Sequence, residues 1–228
     1  MDGILLVDKP VGWTSFDVVA KVRGVIRTET GQKKPKVGHT GTLDPLATGL
    51  LVLLLGSYTK RAPELSKLDK TYEVTMRLGQ TSTTGDEEGE KTAVSAVQPG
   101  REALEAALKQ FVGEIEQVPP AYSAIKINGQ RAYKLARKGA EVKLEPRPVT
   151  IHSLQLTGYT YPEARFITTV SSGTYVRSLV ADIGERLGTG AYMSALRRTA
   201  VGPYTIGEAQ TVEAVATGLN RDRLLTQE

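Results

Sequence analysis

The segment VGHTGTLDPLATGLLVLLLG, residues 37–56, places one carboxylate, Asp44, among small and flexible residues directly before a run of aliphatic side chains. One interpretation is a helix N-cap, since Asp is favoured there and Pro45 is tolerated at the first helical position. This interpretation predicts a capped helical turn that ends at Gly49. The other interpretation is a nucleophile, because a cap position holds a carboxylate rigidly against backbone N–H groups and keeps it ionised. The two interpretations are compatible.

Few other groups in the sequence could do chemistry. The chain has no cysteine and two histidines, so disulfides and thiolate metal sites are excluded and a histidine metal cluster is not expected. His39 lies in a predicted loop. His152 lies in a segment whose hydrophobicity alternates as in a strand, so it is expected to be an ordinary surface or packed residue. The glycines match neither a P-loop nor a dinucleotide fingerprint. We expect no metal and no cofactor, and the candidate reactive groups are a carboxylate, tyrosines and arginines.

The composition is that of a soluble protein. With 228 residues, 40% hydrophobic and 24% charged, the chain fits one large domain or one domain with a sizeable insertion. The N-terminus shows no signal-peptide pattern. The aliphatic run at residues 50–55 is far shorter than the roughly 20 residues that cross a bilayer. We expect a cytoplasmic protein that does not associate with a membrane.

Positive charge is concentrated in two segments. The formal net charge is +4, whereas residues 21–36 alone net +5 and residues 126–147 also net +5, which leaves −6 for the rest of the chain. Two basic segments on a mildly acidic body are typical of arms that contact the phosphate groups of a nucleic acid. The alternative is two solvated, lysine-rich surfaces.

The elements that must position these groups are both strands and helices. Hydrophobic periodicity predicts strands at residues 3–7, 70–79, 121–130, 149–160 and 164–171. It also predicts four helices: the first begins after a Ser15 cap, and the others lie at 101–112, at about 131–138 and at 174–187. Residues 81–90 are polar and acidic and predict a surface loop. Because strands come in runs without a strict βαβ period, the fold class is α+β.

Six segments spread along the chain carry a specific pattern. They are DKPVGWTS at 8–15, VGHTGTLDPLATGLL at 37–51, KTYEV at 70–74, PPAYSAIKINGQRAYKLAR at 119–137, SSGTYVRSLVADIGERLG at 171–188 and ALRRTAVGPY at 195–204. Their order and sequence resemble the TruB-type tRNA pseudouridine synthases. The resemblance implies the α+β pseudouridine synthase fold, with a mixed, largely antiparallel central sheet flanked by helices and loops. It also implies a catalytic domain at residues 1–210 with an RNA-binding insertion at about 120–148.

The resemblance implies a function as well. Synthases of this type isomerise the uridine at position 55 in the TΨC loop of tRNA to pseudouridine. The N-glycosidic bond breaks, the uracil rotates and a carbon–carbon bond to the ribose forms, so no cofactor is needed. The target base must be flipped into a pocket, which costs a few kcal/mol. The implied partner is the T-arm of tRNA, and a monomer is the simplest expectation.

The resemblance assigns catalytic roles to four residues. Asp44 aligns with the catalytic aspartate, which attacks the flipped nucleotide or removes a proton from its sugar, and the sequence leaves both routes open. Arg177 aligns with the arginine that pairs with this aspartate. Tyr72 aligns with the tyrosine that stacks on the target base, and Tyr175 with a second tyrosine of the active site.

The resemblance also assigns residues to substrate binding. Leu196 matches an apolar residue that packs on the uracil, and His39 matches the histidine beside the displaced loop bases. Lys9 belongs to the first motif, whose expected work is to brace the pocket. The basic segment at 126–147 corresponds to the region that folds over the RNA loop, and its expected contacts are Arg131, Lys134 and Arg137.

Two alternative functions and one departure accompany the resemblance. Members of the family often continue into a small RNA-binding PUA domain, whereas 24 residues follow Tyr204 here, so we expect a short tail at 211–228 and no PUA domain. The protein could be a non-catalytic tRNA-binding or folding chaperone, or a synthase that acts on another RNA. The set Asp44, Tyr72 and Arg177 favours an enzyme, because a pure binder has no need of all three.

Overall fold

The computed structural model describes residues 1–123, 125–127, 129–136 and 142–226. The strands are β1 (Gly3–Lys9), β2 (Val37–His39), β3 (Thr48–Leu55), β4 (Lys70–Leu78), β5 (Gln80–Ser82), β6 (Lys91–Ala93), β7 (Gly113–Gln117), β8 (Lys126–Ile127), β9 (Gln130–Arg131), β10 (Arg147–Thr160), β11 (Glu163–Val170), β12 (Ala191–Val201), β13 (Tyr204–Thr205) and β14 (Gln210–Thr211). The α-helices are α1 (Ser15–Thr30), α2 (Ala62–Leu65), α3 (Arg101–Lys109), α4 (Ala132–Ala136), α5 (Val176–Arg186) and α6 (Val212–Thr217), and short 3₁₀ turns cover Gly56–Arg61, Ile206–Glu208 and Arg221–Arg223.

The chain forms two compact units, Met1–Glu73 with Leu196–Glu228, and Val74–Ala195. In the first unit the strands follow the order β14–β1–β3–β12. β1 is antiparallel to β3 and parallel to β14, and β12 is parallel to the start of β3. β2 pairs antiparallel with the end of β3. β3 is therefore the central strand of this unit.

The aliphatic run of β3 is buried on both faces, which explains why its sequence does not alternate. One face packs against α1 and α6, and its side chains are Leu51, Leu53 and Leu55. The opposite face packs with Leu65, Val201 and Tyr204. This strand carries the loop of Asp44 at its start, so the loop leaves from a rigid frame.

In the second unit the strands follow the order β4–β11–β10–β7, and β10 is antiparallel to both β11 and β7. Helix α3 packs on β10 and against α5. Leu104 and Leu108 of α3 and Leu179 and Ile183 of α5 are buried. β5 with β6 and β8 with β9 form two small antiparallel pairs. The α+β class with a mixed, largely antiparallel sheet is confirmed.

Helix α1 begins one residue earlier than the sequence predicts, because Thr14 and not Ser15 is its cap. The Thr14 hydroxyl accepts from the Asp17 backbone N–H at 3.1 Å, and the Asp17 carboxylate accepts from the Thr14 N–H at 2.8 Å. The Ser15 hydroxyl instead accepts from the Leu43 N–H at 2.8 Å and donates to the Leu43 carbonyl at 3.1 Å. Ser15 thus ties α1 to the residue before Asp44.

The strand predicted at residues 121–130 is replaced by the short pair β8 and β9, and residue 128 of the predicted Asn-Gly turn lies outside the described residues. Two prolines at 119–120 precede this segment and cannot donate to a sheet. The predicted basic helix is α4, and the rest of its predicted length lies outside the described residues.

The sequence predicts a short tail at 211–228, and its described residues, 211–226, contribute to the core of the first unit. Val212 and Val215 of α6 are buried among the side chains of α1 and β3. The division of the chain at residue 210 stays a prediction.

Gly49 does not end a helical turn, as the sequence predicts, but lies inside β3, opposite Arg198 of β12. Its φ is +102°, and a Cβ there would lie 2.3 Å from the Arg198 carbonyl oxygen. We expect Gly49→Ala to destabilise the protein by about 3–5 kcal/mol, because strain and overpacking add. Urea unfolding followed by circular dichroism measures the change in the free energy of unfolding.

Gly24→Ala is the matched control, because Gly24 lies inside α1 and an added methyl group would have nothing within 4 Å of it beyond the helix's own neighbouring backbone. Alanine is the better helix former, so this variant is expected to gain about 0.5–1 kcal/mol. Equal changes in the two variants would contradict the close approach of β3 and β12.

Candidate functional site

Asp44 lies in a tight turn between β2 and β3. Its carbonyl accepts from the Ala47 N–H at 3.0 Å, and Asp followed by Pro is a preferred start for a type I turn. The turn does not continue into a helix, so the predicted capped helical turn is wrong. Asp44 is half-buried. Its position must be fixed by the segments that contact the turn.

The first motif holds this turn through a buried ammonium group. Lys9 is fully buried, and its Nζ donates to three carbonyl oxygens: Pro10 at 2.9 Å, Trp13 at 2.6 Å and Pro45 at 3.4 Å. The Gly12 N–H also donates to the Pro45 carbonyl, at 2.8 Å. The residue after Asp44 is therefore tied to the loop that follows β1.

Both neighbours of Asp44 are held by the same motif, since Ser15 binds the backbone of Leu43. Burial lowers the pKa of Lys9 to about 8, and the negative charge of Asp44 opposes this fall. At neutral pH Lys9 is therefore still largely a cation. These contacts fit the bracing role expected of Lys9, and they place a positive charge close enough to Asp44 to interact with it.

Arg198, which the sequence motifs did not single out, holds the other end of the loop. Its guanidinium is buried, with Nε donating to the Leu50 carbonyl at 2.8 Å and Nη2 to the Gly41 carbonyl at 3.0 Å. A Cβ on Gly41 would lie 3.4 Å from Nη1 of this group. The segment that carries Asp44 therefore runs from one buried cation to another.

Tyr72 and Lys70 lie on the same, inward face of β4, whose burial alternates along the strand. Tyr72 is 8% exposed and Lys70 is 7% exposed. Lys70 Nζ donates to the carbonyls of Ser66 at 2.7 Å and Leu68 at 2.5 Å. Burial, with the nearby charge of Arg198, lowers the pKa of Lys70 to about 8. This buried lysine was also missed, because an alternating strand with a lysine at its start predicts an exposed end.

His39 ends β2 and pairs with Leu53, so it lies at a strand end and not in the predicted loop. Its Nδ1 is buried and has no hydrogen-bond partner within the described part of the chain. Burial lowers its pKa, and the charge of Arg198 lowers it further. The imidazole is therefore neutral at physiological pH, and it can act on a ligand by contact and hydrogen bonding, not by charge.

Leu196 and Arg197 lie on β12 next to Arg198. Leu196 is half-buried, and its carbonyl accepts from the Thr48 hydroxyl at 3.5 Å. Arg197 forms a two-point ion pair with Asp8 of the first motif, with donor–acceptor distances of 3.2 and 2.8 Å. This pair fixes β12 against the end of β1, and no sequence pattern indicated it.

Arg177 belongs to the second unit, where its guanidinium is buried. Nη1 lies 3.4 Å from an Asp86 carboxylate oxygen and donates to the Thr84 carbonyl at 3.0 Å, and Nη2 donates to the Tyr122 carbonyl at 2.8 Å. Asp86 is 3% exposed, although it lies in the segment predicted as a surface loop. Asp44 belongs to the first unit, and its pairing with Arg177 stays a prediction.

Tyr175 is fixed through its backbone just before α5. The buried Gln117 side chain accepts from the Tyr175 N–H at 2.8 Å and donates to the Tyr175 carbonyl at 3.1 Å. Tyr175 is half-buried and lines a cavity of about 240 Å³ together with Gln117, Ile125 and Arg147. The two hydrogen bonds from the Gln117 amide therefore fix the backbone of Tyr175 at the start of α5.

The predicted contacts of the insertion are described only in part. Lys134 is exposed on α4, Arg131 is the last residue of β9, and both the Arg131 side chain and the whole of Arg137 lie outside the described residues. Within the described residues there is no group of three or more acidic and histidine side chains that could hold a metal. No helix in the described part of the chain is long and apolar enough to cross a membrane.

Two family models together match residues 27–226 of the chain. Residues 27–176 match the model described as TruB family pseudouridylate synthase (N terminal domain). Residues 177–226 match the model described as tRNA pseudouridylate synthase B C-terminal domain. The first match includes Asp44 and Tyr72, and Arg177 opens the second.

Curated relatives match the chain closely. The tRNA pseudouridine synthase B of Burkholderia mallei (strain NCTC 10247) is 48% identical over 98% of this chain and 72% of that protein. The tRNA pseudouridine synthase B of Pseudomonas syringae pv. syringae (strain B728a) is 49% identical over 93% of this chain and 68% of that protein.

Solved structures match the fold. A crystal structure of a Cbf5-Nop10-Gar1 complex contains a chain that is 29% identical, with a TM-score of 0.73 over 94% of this chain and 54% of that one. An H/ACA RNP bound to a substrate RNA containing 2'-deoxyuridine gives a TM-score of 0.69 at 27% identity, over 94% of this chain and 52% of that one. The chain thus spans about half the length of these solved chains.

The lowered pKa of His39 predicts a dependence of stability on pH. Because the folded state favours the neutral imidazole, its contribution is complete above the ordinary histidine pKa of about 6.5 and is lost as the pH falls below it. We expect the stability of His39→Gln, relative to the unchanged protein, to rise as the pH is lowered from 7.5 to 5. Urea unfolding at a series of pH values measures this difference.

His152→Gln is the control, because it removes the exposed imidazole of β10. Its stability relative to the unchanged protein should not show that rise. Parallel curves for the two variants would show that burial beside Arg198 does not set the protonation of His39.

Proposed function

Since the chain belongs to the TruB family of pseudouridylate synthases, and is by this membership a tRNA pseudouridine synthase, we propose that it converts the uridine at position 55 in the TΨC loop of tRNA to pseudouridine. The resemblance carried by the six sequence segments is thereby confirmed at the level of the family. The position in the tRNA, the flipping of the base and the role of each residue are the proposal.

The observation that carries the proposal is the fixed geometry of the turn around Asp44. Isomerisation breaks the bond from uracil N1 to the ribose C1′, forms a bond from uracil C5 to C1′, and moves a proton from C5 to N1. Asp44 either attacks the nucleotide or removes a proton from its sugar, and both routes need a carboxylate held in one place. Backbone contacts to Leu43 and Pro45 hold it from both sides.

The other catalytic roles are proposed around this group. Arg177 pairs with Asp44 and is oriented in advance by the carbonyls of Thr84 and Tyr122. Tyr72 stacks on the flipped base, a contact worth about 1–3 kcal/mol. Tyr175 supplies a second aromatic group.

Substrate binding is proposed to combine contacts with the bases and contacts with the phosphates. Leu196 packs on the uracil, and the neutral His39 lies beside the displaced bases of the loop. Lys9 braces the pocket by holding the turn of Asp44 through the Pro45 carbonyl. Arg131, Lys134 and Arg137 of the insertion contact the T-arm. A monomer, a cytoplasmic location and a catalytic domain at residues 1–210 with an insertion at 120–148 remain part of the proposal.

Asp44→Asn is expected to abolish pseudouridine formation in an unmodified tRNA transcript while the affinity for that RNA stays within a few fold, because the amide keeps the shape and removes the reactive charge. Chemical mapping of pseudouridine and filter binding measure the two quantities. Asp222→Asn, at an exposed carboxylate of the last 3₁₀ turn, is the control and should keep full activity.

Each alternative gives a different result in this experiment. Turnover by Asp44→Asn would identify another catalytic group. Binding by the unchanged protein without any pseudouridine would favour a tRNA-binding or folding chaperone. Pseudouridine at another position or in another RNA would favour a different substrate.

Replacing Lys134, Arg137 and Lys138 with Ala is expected to weaken binding to any RNA and to flatten its salt dependence, because fewer phosphate contacts release fewer counterions. Filter binding at several salt concentrations measures the slope of log affinity against log salt. Lys67, Lys109 and Arg186 are exposed side chains outside both basic segments, and their replacement with Ala is the control of equal charge. An unchanged slope in the first variant would rule out this arm.

A further inference from the structure

The basic segment at residues 21–36 is not used by any contact of the proposed reaction. It covers the second half of α1 and the loop that leads into β2. Lys21, Arg27 and the loop lysines are exposed. A surface of this charge needs an explanation, because clustered cations repel one another unless they have counter-charges.

Two charged residues of this segment have structural contacts of their own. Glu29 accepts from the Leu219 backbone N–H at 2.7 Å, so its carboxylate is turned toward the end of the chain. Arg23 is half-buried and donates to the Val37 carbonyl at 2.7 Å. The remaining basic side chains are left at the surface.

Five exposed cations remain, and none of them forms an ion pair (N···O of 4.0 Å or less) with a carboxylate of the described residues. They are Lys21, Arg27, Lys33, Lys34 and Lys36. The nearby residues 210–226 carry two acidic and two basic side chains, so they add no net charge. The surface is therefore strongly and locally positive.

The loop that presents three of these lysines is anchored at several points. The Gly31 N–H caps α1 by donating to the Arg27 carbonyl at 3.0 Å, and the Lys36 carbonyl accepts from the Gly56 N–H at 2.9 Å. Pro35 is buried between the exposed Lys34 and Lys36. The three lysines, Lys33, Lys34 and Lys36, are thus presented by a fixed loop, which we call the basic loop.

The basic loop continues directly into the strand of His39. His39 is three residues beyond Lys36, and strand geometry places their Cα atoms about 10 Å apart. An RNA whose displaced bases lie at His39 has backbone phosphates within that distance. The lysines of the basic loop are therefore close enough to the proposed site to contact phosphates of the same RNA.

We propose that the basic loop is a second phosphate-binding surface, which contacts the RNA backbone next to the displaced bases and adds to the contacts of the insertion. This inference rests on the proposed function for the identity of the RNA. A membrane surface fits less well, because an interfacial helix needs an exposed apolar face. The apolar face of α1, with Val18, Val22 and Ile26, is buried in the core.

The test replaces Lys33, Lys34 and Lys36 with Ala and measures affinity for an unmodified tRNA transcript between 50 and 200 mM salt. Three lost phosphate contacts reduce the slope of log affinity against log salt by about 2.1–2.7. The ratio of the affinity of the unchanged protein to that of the Ala variant should then be about 20- to 40-fold larger at 50 mM than at 200 mM salt. The single-turnover rate of pseudouridine formation at saturating protein should not change, because the loop is outside the catalytic group.

Two controls separate a local contact from net charge and from a folding defect. The Lys67, Lys109 and Arg186 variant loses the same charge elsewhere and should keep the slope. A variant with Arg at positions 33, 34 and 36 keeps the charge and should restore it. An unchanged slope in the Ala variant, an equal loss in the charge control, or a loss of binding to phosphatidylserine vesicles without a loss for tRNA would overturn the inference.

The outcome for the inference is distinguishable from the outcome for the proposed function. If the unchanged protein forms no pseudouridine but the Ala variant shows the reduced slope, the proposed reaction is overturned and the basic loop remains an RNA contact. If pseudouridine forms at the expected position and the slope does not change, the proposed function remains and the basic loop contact is overturned.

Discussion

The loop of Asp44 depends on two buried cations that are hydrogen-bonded to backbone carbonyls. Lys9 lies at one end of this loop and Arg198 at the other. An unpaired buried charge is expensive, so each cation remains inside only because several carbonyl oxygens surround it. In return, those carbonyls cannot move without leaving a charge unsatisfied. A flexible, glycine-containing segment is thereby made rigid without a helix or a disulfide.

The frame behind this loop is β3. Its aliphatic side chains are buried on both faces, and Gly49 at its start lets the backbone of Arg198 approach to a distance that excludes any side chain. Arg198, whose backbone makes this close contact with β3, also donates from its guanidinium to the Gly41 carbonyl in the loop of Asp44. The parallel pairing of β12 with β3 therefore both packs the two strands and helps to position the Asp44 carboxylate.

Much of this organisation could be predicted from the sequence. Alternation indicated β4, β10 and β11, and helical periodicity indicated α1, α3 and α5, because those elements each bury one face. The family motifs singled out Asp44 and Arg177, which no pattern of hydrophobicity could do, and the catalytic roles of both residues stay predictions. The limits lie in polar residues: Arg197 and Arg198 are adjacent and identical in type, yet one forms a partly exposed ion pair and the other is buried.

The remaining misses have the same physical origin. Asp86 is one of several acids in a polar segment, and only the tertiary fold decides that this one is buried beside Arg177. Thr14 and Ser15 are both good caps, and the choice depends on Leu43, which is distant in sequence. Contacts between a polar side chain and a group that is distant in sequence leave no periodic trace in the sequence.

The end of the described chain also closes the edge of the sheet. Val7 of β1 pairs with Gln210 of β14, and farther along β1 the Ile4 and Leu225 backbones exchange two hydrogen bonds of 2.9 and 3.0 Å. An uncovered strand edge is a template for joining to another chain. Residues 210–225 therefore cover the outer edge of β1, which would otherwise be open to pairing with a strand of another copy of the protein.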